Sequence, residues 1–304
     1  MTFARKGGIY NAGDQPRNME SPSSTTPLGR LLRRLDVQQL DRDLFLGHPG
    51  RGEGALFGGF VAAQAVMAAG RTVTDRTVTH RSLHSLHGYF LRPGRHNVPI
   101  RFLVDRIRDG RTFSTRSVVA HQSGEAIFNL SANFTAPEEG IAHQEQPPPD
   151  APAPDGLLDW EDIRAQLLGD PSARRPDGPI EVRVCDPDSP DPNVKLPARR
   201  RVWLRPRGTL PEDPLMHAAV LVYASDRTLL RTAARPHGLT WRLRTGASLD
   251  HAVWLHRPAR FDDWLLYASE SPVAYAARAL LLGAMYRRDG TRIVSVAQEG
   301  LLRT

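Results

Sequence analysis

"LMHAAVLVYASDRTL" (215–229) is the stretch on which the fold turns. At a helical period its apolar residues cover nearly the whole circumference, and a helix apolar on most faces has to be buried on most sides. Leu215, Ala219, Val222, Asp226 and Leu229 share one face, so a single carboxylate interrupts an otherwise apolar stripe. A second segment of the same kind, "LFGGFVAAQAVMAAG" (56–70), lies upstream. Its glycines and alanines let a helix backbone come close to a sheet.

Downstream of each segment the chain is strand-rich, and the two strand runs match. "HSLHGYFLRPG" leads into "VPIRFLVDRI", a "RDGR" turn, "TFSTRSVVAHQ", a "SGE" turn and "AIFNLSANF". "DHAVWLHRPAR" leads into "WLLYASES", "YAARALLLGAMY", a "RRDG" turn and "RIVSVAQEGLL". The pairs Arg92–Pro93 and Arg257–Pro258 align so that Asn133 and Gln298 each stand 40 residues beyond their proline. The sequence is therefore an internal repeat of one helix and a run of antiparallel strands, an α+β plan in which a curved sheet wraps a buried helix. The expected division is a disordered tail over 1–28, a first half over 29–140, a Pro- and Asp-rich connector with a short helix over 141–200, and a second half over 201–304. Met19 offers a second candidate start.

Composition bounds the function. With 304 residues, 40% hydrophobic and 24% charged, the chain has a soluble globular balance, and its net charge is +7. Lys6 and Lys195 are the only lysines and the arginines are spread evenly, which argues against a nucleic-acid stripe. Cys185, alone, excludes an internal disulfide or multi-cysteine metal site and points to a reducing compartment. No apolar run reaches the roughly 18 residues of a membrane span. "FGG" (57–59) is too short for a phosphate-binding loop, and no G-x-S-x-G elbow occurs. His80, His84 and His87 read as strand and loop histidines rather than zinc ligands, because a strand does not preform that ligand set.

The ordered motifs "LFGGFVAAQA", "HSLHGYFLRPG", "RDGRTFSTR", "APAPDGL", "LDHAVWLHRP", "WLLYASES" and "QEGLLR" resemble the acyl-CoA thioesterase II family from about residue 30 onward. The resemblance implies a double hotdog, two long central helices each wrapped by an antiparallel sheet. It further implies hydrolysis of acyl-CoA to free fatty acid and CoA, with no metal or other cofactor. Catalysis in the second half then falls to Asp226 of "YASD", Ser248 before "LDH" and Gln298 of "AQEG", which hold a water. A cytoplasmic homo-oligomer is the expectation by analogy, and the ending "LLRT" is not a peroxisomal address.

A carboxylate on a buried face is costly unless bonded, and such a cost is tolerated where the group works. Asp226 is the candidate base, or alternatively a nucleophile forming a mixed anhydride, with backbone N–H groups near a helix N-terminus as oxyanion donors. Local sequence alone also allows Asp226 a capping or ion-pairing role with Arg227 or Arg231, Ser248 a turn role and Gln298 a solvated one. Asp250 and His251 read as structural or pocket-rim residues, and Arg92 and Arg257 as loop anchors within reach of CoA phosphate. Matching Phe57 to His217 puts Val66 in the place of Asp226, so one active site per chain is expected. The competing functions are a hotdog enoyl-CoA hydratase, disfavoured because His217 and Asp226 lie nine residues apart, and a non-catalytic acyl-CoA sensor.

Overall fold

The computed structural model describes residues 25–73, 81–191, 193–239 and 245–303. In chain order the elements are α1 (Pro27–Leu35), β1 (Gln38–Asp41), β2 (Leu44–Gly47), α2 (Gly58–Arg71), β3 (Ser82–Phe90), β4 (Ile100–Asp109), β5 (Phe113–Gln122) and β6 (Glu125–Thr135). Next come α3 (Trp160–Leu167), β7 (Ile180–Val184), β8 (Arg199–Pro206), α4 (Pro214–Ser225), α5 (Leu229–Ala234), β9 (Thr245–Ser248), β10 (Asp250–Leu255), β11 (Leu265–Tyr275), β12 (Arg278–Tyr286) and β13 (Arg292–Arg303). The fold is mixed helix and antiparallel sheet. The tail expected over 1–28 lies outside the described residues as far as 24, and its last residues are helix: the Thr26 side chain caps α1 and Leu28 is buried.

All strands join one sheet, ordered β1-β2-β4-β5-β6-β3-β10-β13-β12-β11-β8-β7, with β9 paired to β13. The order reads the same outward from the β3–β10 junction: β6 answers to β13, β5 to β12, β4 to β11. Helices keep the pattern too, since α1-β1-β2-α2 and α3-β7-β8-α4 precede matching four-strand runs. The segment expected as connector thus supplies α3 and the edge strand β7.

Period-two alternation explains which side chains point inward. On β10, His251, Val253 and Leu255 are buried; on β13 the buried row runs Val294, Val296, Gln298, Gly300. Helices α2 and α4 lie against each other beneath the sheet and share a single apolar core with both halves. Every residue of α2 from Gly59 to Ala69 is buried, as is α4 from Met216 to Ser225. That burial is what a helix without a polar face demands.

The helix expected to run through Asp226 stops one residue short of it. Ser225 closes α4, Asp226 is its C-cap, and the backbone leaves helical geometry at Thr228. The Tyr267 phenol donates to the Ser225 carbonyl at 2.7 Å, satisfying a carbonyl the ended helix leaves open. Strand β11 likewise runs further than "WLLYASES" suggests. Tyr275 belongs to it, and a two-residue turn at Ala276–Ala277, both at positive φ, leads into β12.

Candidate active site

Asp226, Ser248 and Gln298 arrive from the end of α4, from β9 and from β13, and they meet. Ser248 Oγ donates to Asp226 Oδ1 at 3.0 Å, and Gln298 Nε2 donates to Ser248 Oγ at 2.8 Å. Asp226 is 8% exposed and Gln298 1%. Pairing of β9 and β13 sets the register, with Ser248 opposite Gly300, which brings the hydroxyl beside the inward Gln298.

Two further partners are not legible as site residues in the sequence. The Gly59 amide, in the first turn of α2, donates to Asp226 Oδ2 at 2.7 Å. No side chain of α2's own N-cap residue, Phe57, does this work, so a carboxylate from 167 residues away stands at that helix N-terminus. His251, expected as a structural or rim residue, is fully buried and lies behind the triad: Nδ1 is 2.7 Å from Gln298 Oε1, and Nε2 is 2.7 Å from Ser225 Oγ. Strand alternation alone puts His251 inside; its partners come from α4 and β13, which no local pattern connects to it.

Burial raises the Asp226 pKa above the ordinary carboxylate range, opposed in turn by His251 and by hydrogen bonds from Gly59, Ser248 and Gln298. Burial also lowers the His251 pKa, which keeps the imidazole neutral against the pull of Asp226. The result is a sequestered carboxylate with raised proton affinity, held by fixed donors. The hydrogen bonds to Asp226 come from Gly59, Ser248 and Gln298 rather than from Arg227 or Arg231, and the capping alternative is met at the N-terminus of α2, where the carboxylate takes the Gly59 amide. Cys185 is uninvolved, its thiol pushed up to about 11 by burial.

His217 is elsewhere, as its sequence spacing requires. It is buried in α4, and Nδ1 accepts from the Phe261 amide at 3.1 Å. At 1.5 Å rise per residue it lies roughly 13 Å along from Asp226.

In the first half the corresponding place is furnished differently. Val66 is mid-helix; the residue standing at the C-cap of α2, with backbone angles close to those of Asp226, is Thr72. The offset between halves changes along the chain, so a constant alignment picks the wrong residue. Thr72 Oγ1 accepts from the buried Arg116 Nε at 2.7 Å, and Arg116 also reaches Asp109 at 2.7 Å. Asn133 takes the position matched to Gln298, and His84 lies beside it. Opposite, the N-terminus of α4 is closed by Pro214 and by Asp213, whose side chain takes the Leu215 amide. In α2 the matching turn begins with Gly58 and Gly59.

A cavity of about 260 Å³ opens beside the site, lined among others by Phe57, Phe60 and Tyr223, with Arg30, Arg34 and His96 at its polar side. Phe57 and Tyr223 meet edge to face at 5.1 Å. A larger cavity of about 790 Å³ lies against β8, β11 and β12, and neither cavity is lined by Asp226, Ser248 or Gln298. Chemistry decides between them, and only the smaller borders the α2 N-terminus. Among the described residues, no cluster of His, Cys, Asp and Glu could hold a metal ion, and no helix is long and apolar enough to cross a membrane. His80 lies outside the described residues; His84 packs edge to face on Phe113 and His87 on Trp254.

Comparison with known proteins agrees in both halves. Residues 192–301 match the family model described as acyl-CoA thioesterase, and residues 48–135 match that of the acyl-CoA thioesterase N-terminal domain. Acyl-coenzyme A thioesterase 8 of Mus musculus is 38% identical over 285 residues, covering 88% of this chain and 87% of that protein. The crystal structure of an acyl-CoA thioesterase II, TesB2, from Mycobacterium marinum superposes with a TM-score of 0.74 at 38% identity, covering 90% of this chain and 97% of that one. A hot dog fold protein of unknown function from Alicyclobacillus acidocaldarius, 18% identical, gives a TM-score of 0.72 over 90% of this chain and 98% of its own, a likeness of fold alone.

Proposed function

Since this chain belongs to the acyl-CoA thioesterase family and is a thioester hydrolase of acyl-CoA, we propose that Asp226 is its general base and that Ser248 and Gln298 orient the attacking water. The observation that carries this is the carboxylate itself: buried, raised in pKa, and bonded to fixed donors at the N-terminus of α2. A base with proton affinity nearer neutrality takes the water's proton more readily as the oxygen attacks the acyl carbon. Asp226 then returns that proton to the departing CoA sulfur, which leaves a free fatty acid and CoA. Charge developing on the thioester oxygen needs N–H donors, and the first turn of α2 presents the Gly58 amide beside the one that holds Asp226.

The substrate enters in this reading through the cavity at Phe57 and Tyr223, with Arg30 and Arg34 toward the CoA phosphates. The fold is a double hotdog, one unit around α2 and one around α4, and the second unit takes in α3 and β7. A single active site per chain is supported by the closed N-terminus of α4 and by Thr72 standing where an acid would be. We place the enzyme in the cytoplasm on the strength of its lone cysteine, and infer a homo-oligomer from Leu103 and Ile107, which lie 48% and 58% exposed along β4. Fractionation and sedimentation test these two.

The decisive experiment tracks CoA release from purified protein with a thiol reagent, before and after exhaustive chelation. Asp226→Asn should lower kcat by about 10³-fold while the protein stays folded, the usual cost of losing a general base. Activity should survive chelation. A folded Asp226→Asn enzyme within tenfold of the parent would end this account.

A further inference from the structure

We infer that His251 is a positioning residue that sets the direction of the hydrogen-bond chain ending on Asp226. The inference rests on Asp226 as the base and goes beyond it to a residue behind the triad. Four groups stand in line: His251 Nδ1, the Gln298 amide, Ser248 Oγ and Asp226 Oδ1, separated by 2.7, 2.8 and 3.0 Å. Each link has one proton, so the chain has a polarity. An ionised carboxylate only accepts, so Ser248 must donate to it; Ser248 must then accept from the Gln298 NH₂, which turns the Gln298 oxygen toward His251. That oxygen also only accepts. The imidazole therefore has to present Nδ1–H.

His251 meets this demand through its other nitrogen. Nε2 faces Ser225 Oγ, a group that can donate to it, and the tautomer of a histidine is set by the hydrogen bonds at both ring nitrogens. Ser225 Oγ is also 2.9 Å from the Val222 carbonyl, so its single proton is contested. With Nε2–H instead, Nδ1 becomes an acceptor. Gln298 then turns its NH₂ to the ring and its oxygen to Ser248, and the serine proton is drawn off Asp226. The reversed chain suits a protonated carboxyl and strands an ionised one. The charged groups that act on His251 are Asp226, at the end of α4, and Asp250, its neighbour on β10. Burial keeps His251 neutral, so its effect is exerted through hydrogen-bond direction.

Three variants and one spectrum test the assignment. Asparagine can place an NH₂ near the Nδ1 position; glutamine places its amide near Nε2, and leucine places no donor at all. His251→Asn should keep the parent's pH profile of kcat/KM. His251→Gln and His251→Leu should move the acid limb upward by about one pH unit, as Asp226 loses a donor, and lower kcat by roughly tenfold or more with KM little changed. Should the leucine variant not fold, the Asn and Gln pair decides. In the parent enzyme labelled with ¹⁵N-histidine, the His251 signals should report a neutral Nδ1–H ring. An Nε2–H ring, or three variants with the same profile, overturns the inference. If instead Asp226→Asn retains activity, the proposed base is what has failed; the ¹⁵N spectrum is read without reference to turnover and still decides the tautomer.

Discussion

At Asp226, burial raises the carboxyl pKa above its value in the unfolded chain, so the folded state holds the proton more tightly than the unfolded state does. The stabilising contribution is accordingly fully present below the unfolded value of about 3.9 and is lost as pH rises through the raised folded pKa. At neutral pH the ionised group therefore works against the fold, and an uncharged Asn at 226 removes the penalty while keeping an acceptor for the Gly59 amide. Calorimetry at several pH values should find Asp226→Asn melting at or above the parent near pH 7.5, with the margin shrinking toward zero near pH 4. A margin that grows in acid would contradict the assigned pKa direction. Activity is lost where stability is gained, the trade expected of a residue kept for chemistry. Asp226 and Gln298 are readable in the sequence because each breaks an apolar pattern; Ser248, in a four-residue strand, emerges only through family resemblance. His251 stays hidden because a histidine in an alternating strand looks the same whether it packs or orients.

The element that matters most is the first turn of α2. Glycine inside a helix is ordinarily unfavourable, and Gly→Ala there gains about 0.5–1 kcal/mol. At Gly59 the added Cβ would lie 2.8 Å from the Phe57 ring, 2.8 Å from the Tyr223 carbonyl oxygen and 3.0 Å from Asp226 Cβ. A backbone carbonyl in a buried helix does not yield, so α2 must shift instead. Gly59→Ala should lose about 1–3 kcal/mol, the range for overpacking a filled core, and lower kcat/KM at least tenfold as the Gly59 amide leaves Asp226. Urea midpoints and initial rates read both effects; a stabilised, fully active variant would show that the turn is not packed on the carboxylate. Apolar helices and alternating strands are legible because burial imposes their periods. The end of α4 is not, since Ser225, Asp226 and Arg227 all tolerate helix, and the Tyr267 phenol that takes up the Ser225 carbonyl there arrives from β11. Thr72 escapes notice for a related reason: the stretch between helix and strand differs in length between the halves, and only the fold shows which residues stand at corresponding caps.

Across the whole molecule the two halves depend on each other in three places. Strand β3 pairs with β10, α2 packs on α4, and the Gly59 amide of one half holds the carboxylate of the other. The repeat itself is visible from the matched spacing of Arg–Pro pairs to Asn133 and Gln298, because both strand runs keep the same length. The site's division between halves is not visible, because no local pattern links positions 59 and 226. If the site is shared, neither half suffices. A fragment spanning 141–304 carries Asp226, Ser248, Gln298 and His251, yet it lacks the amide at Oδ2 and exposes β10 as an unpaired edge and α4 as an apolar face. Expressed alone, that fragment should aggregate and release no CoA above background. Co-expressed with 25–140, it should pair along β3–β10 and recover a measurable fraction of the parent's kcat. Full activity in the isolated fragment would place the whole catalytic apparatus within one half and remove the part assigned to α2, whereas recovery only on co-expression ties the chemistry to the junction between them.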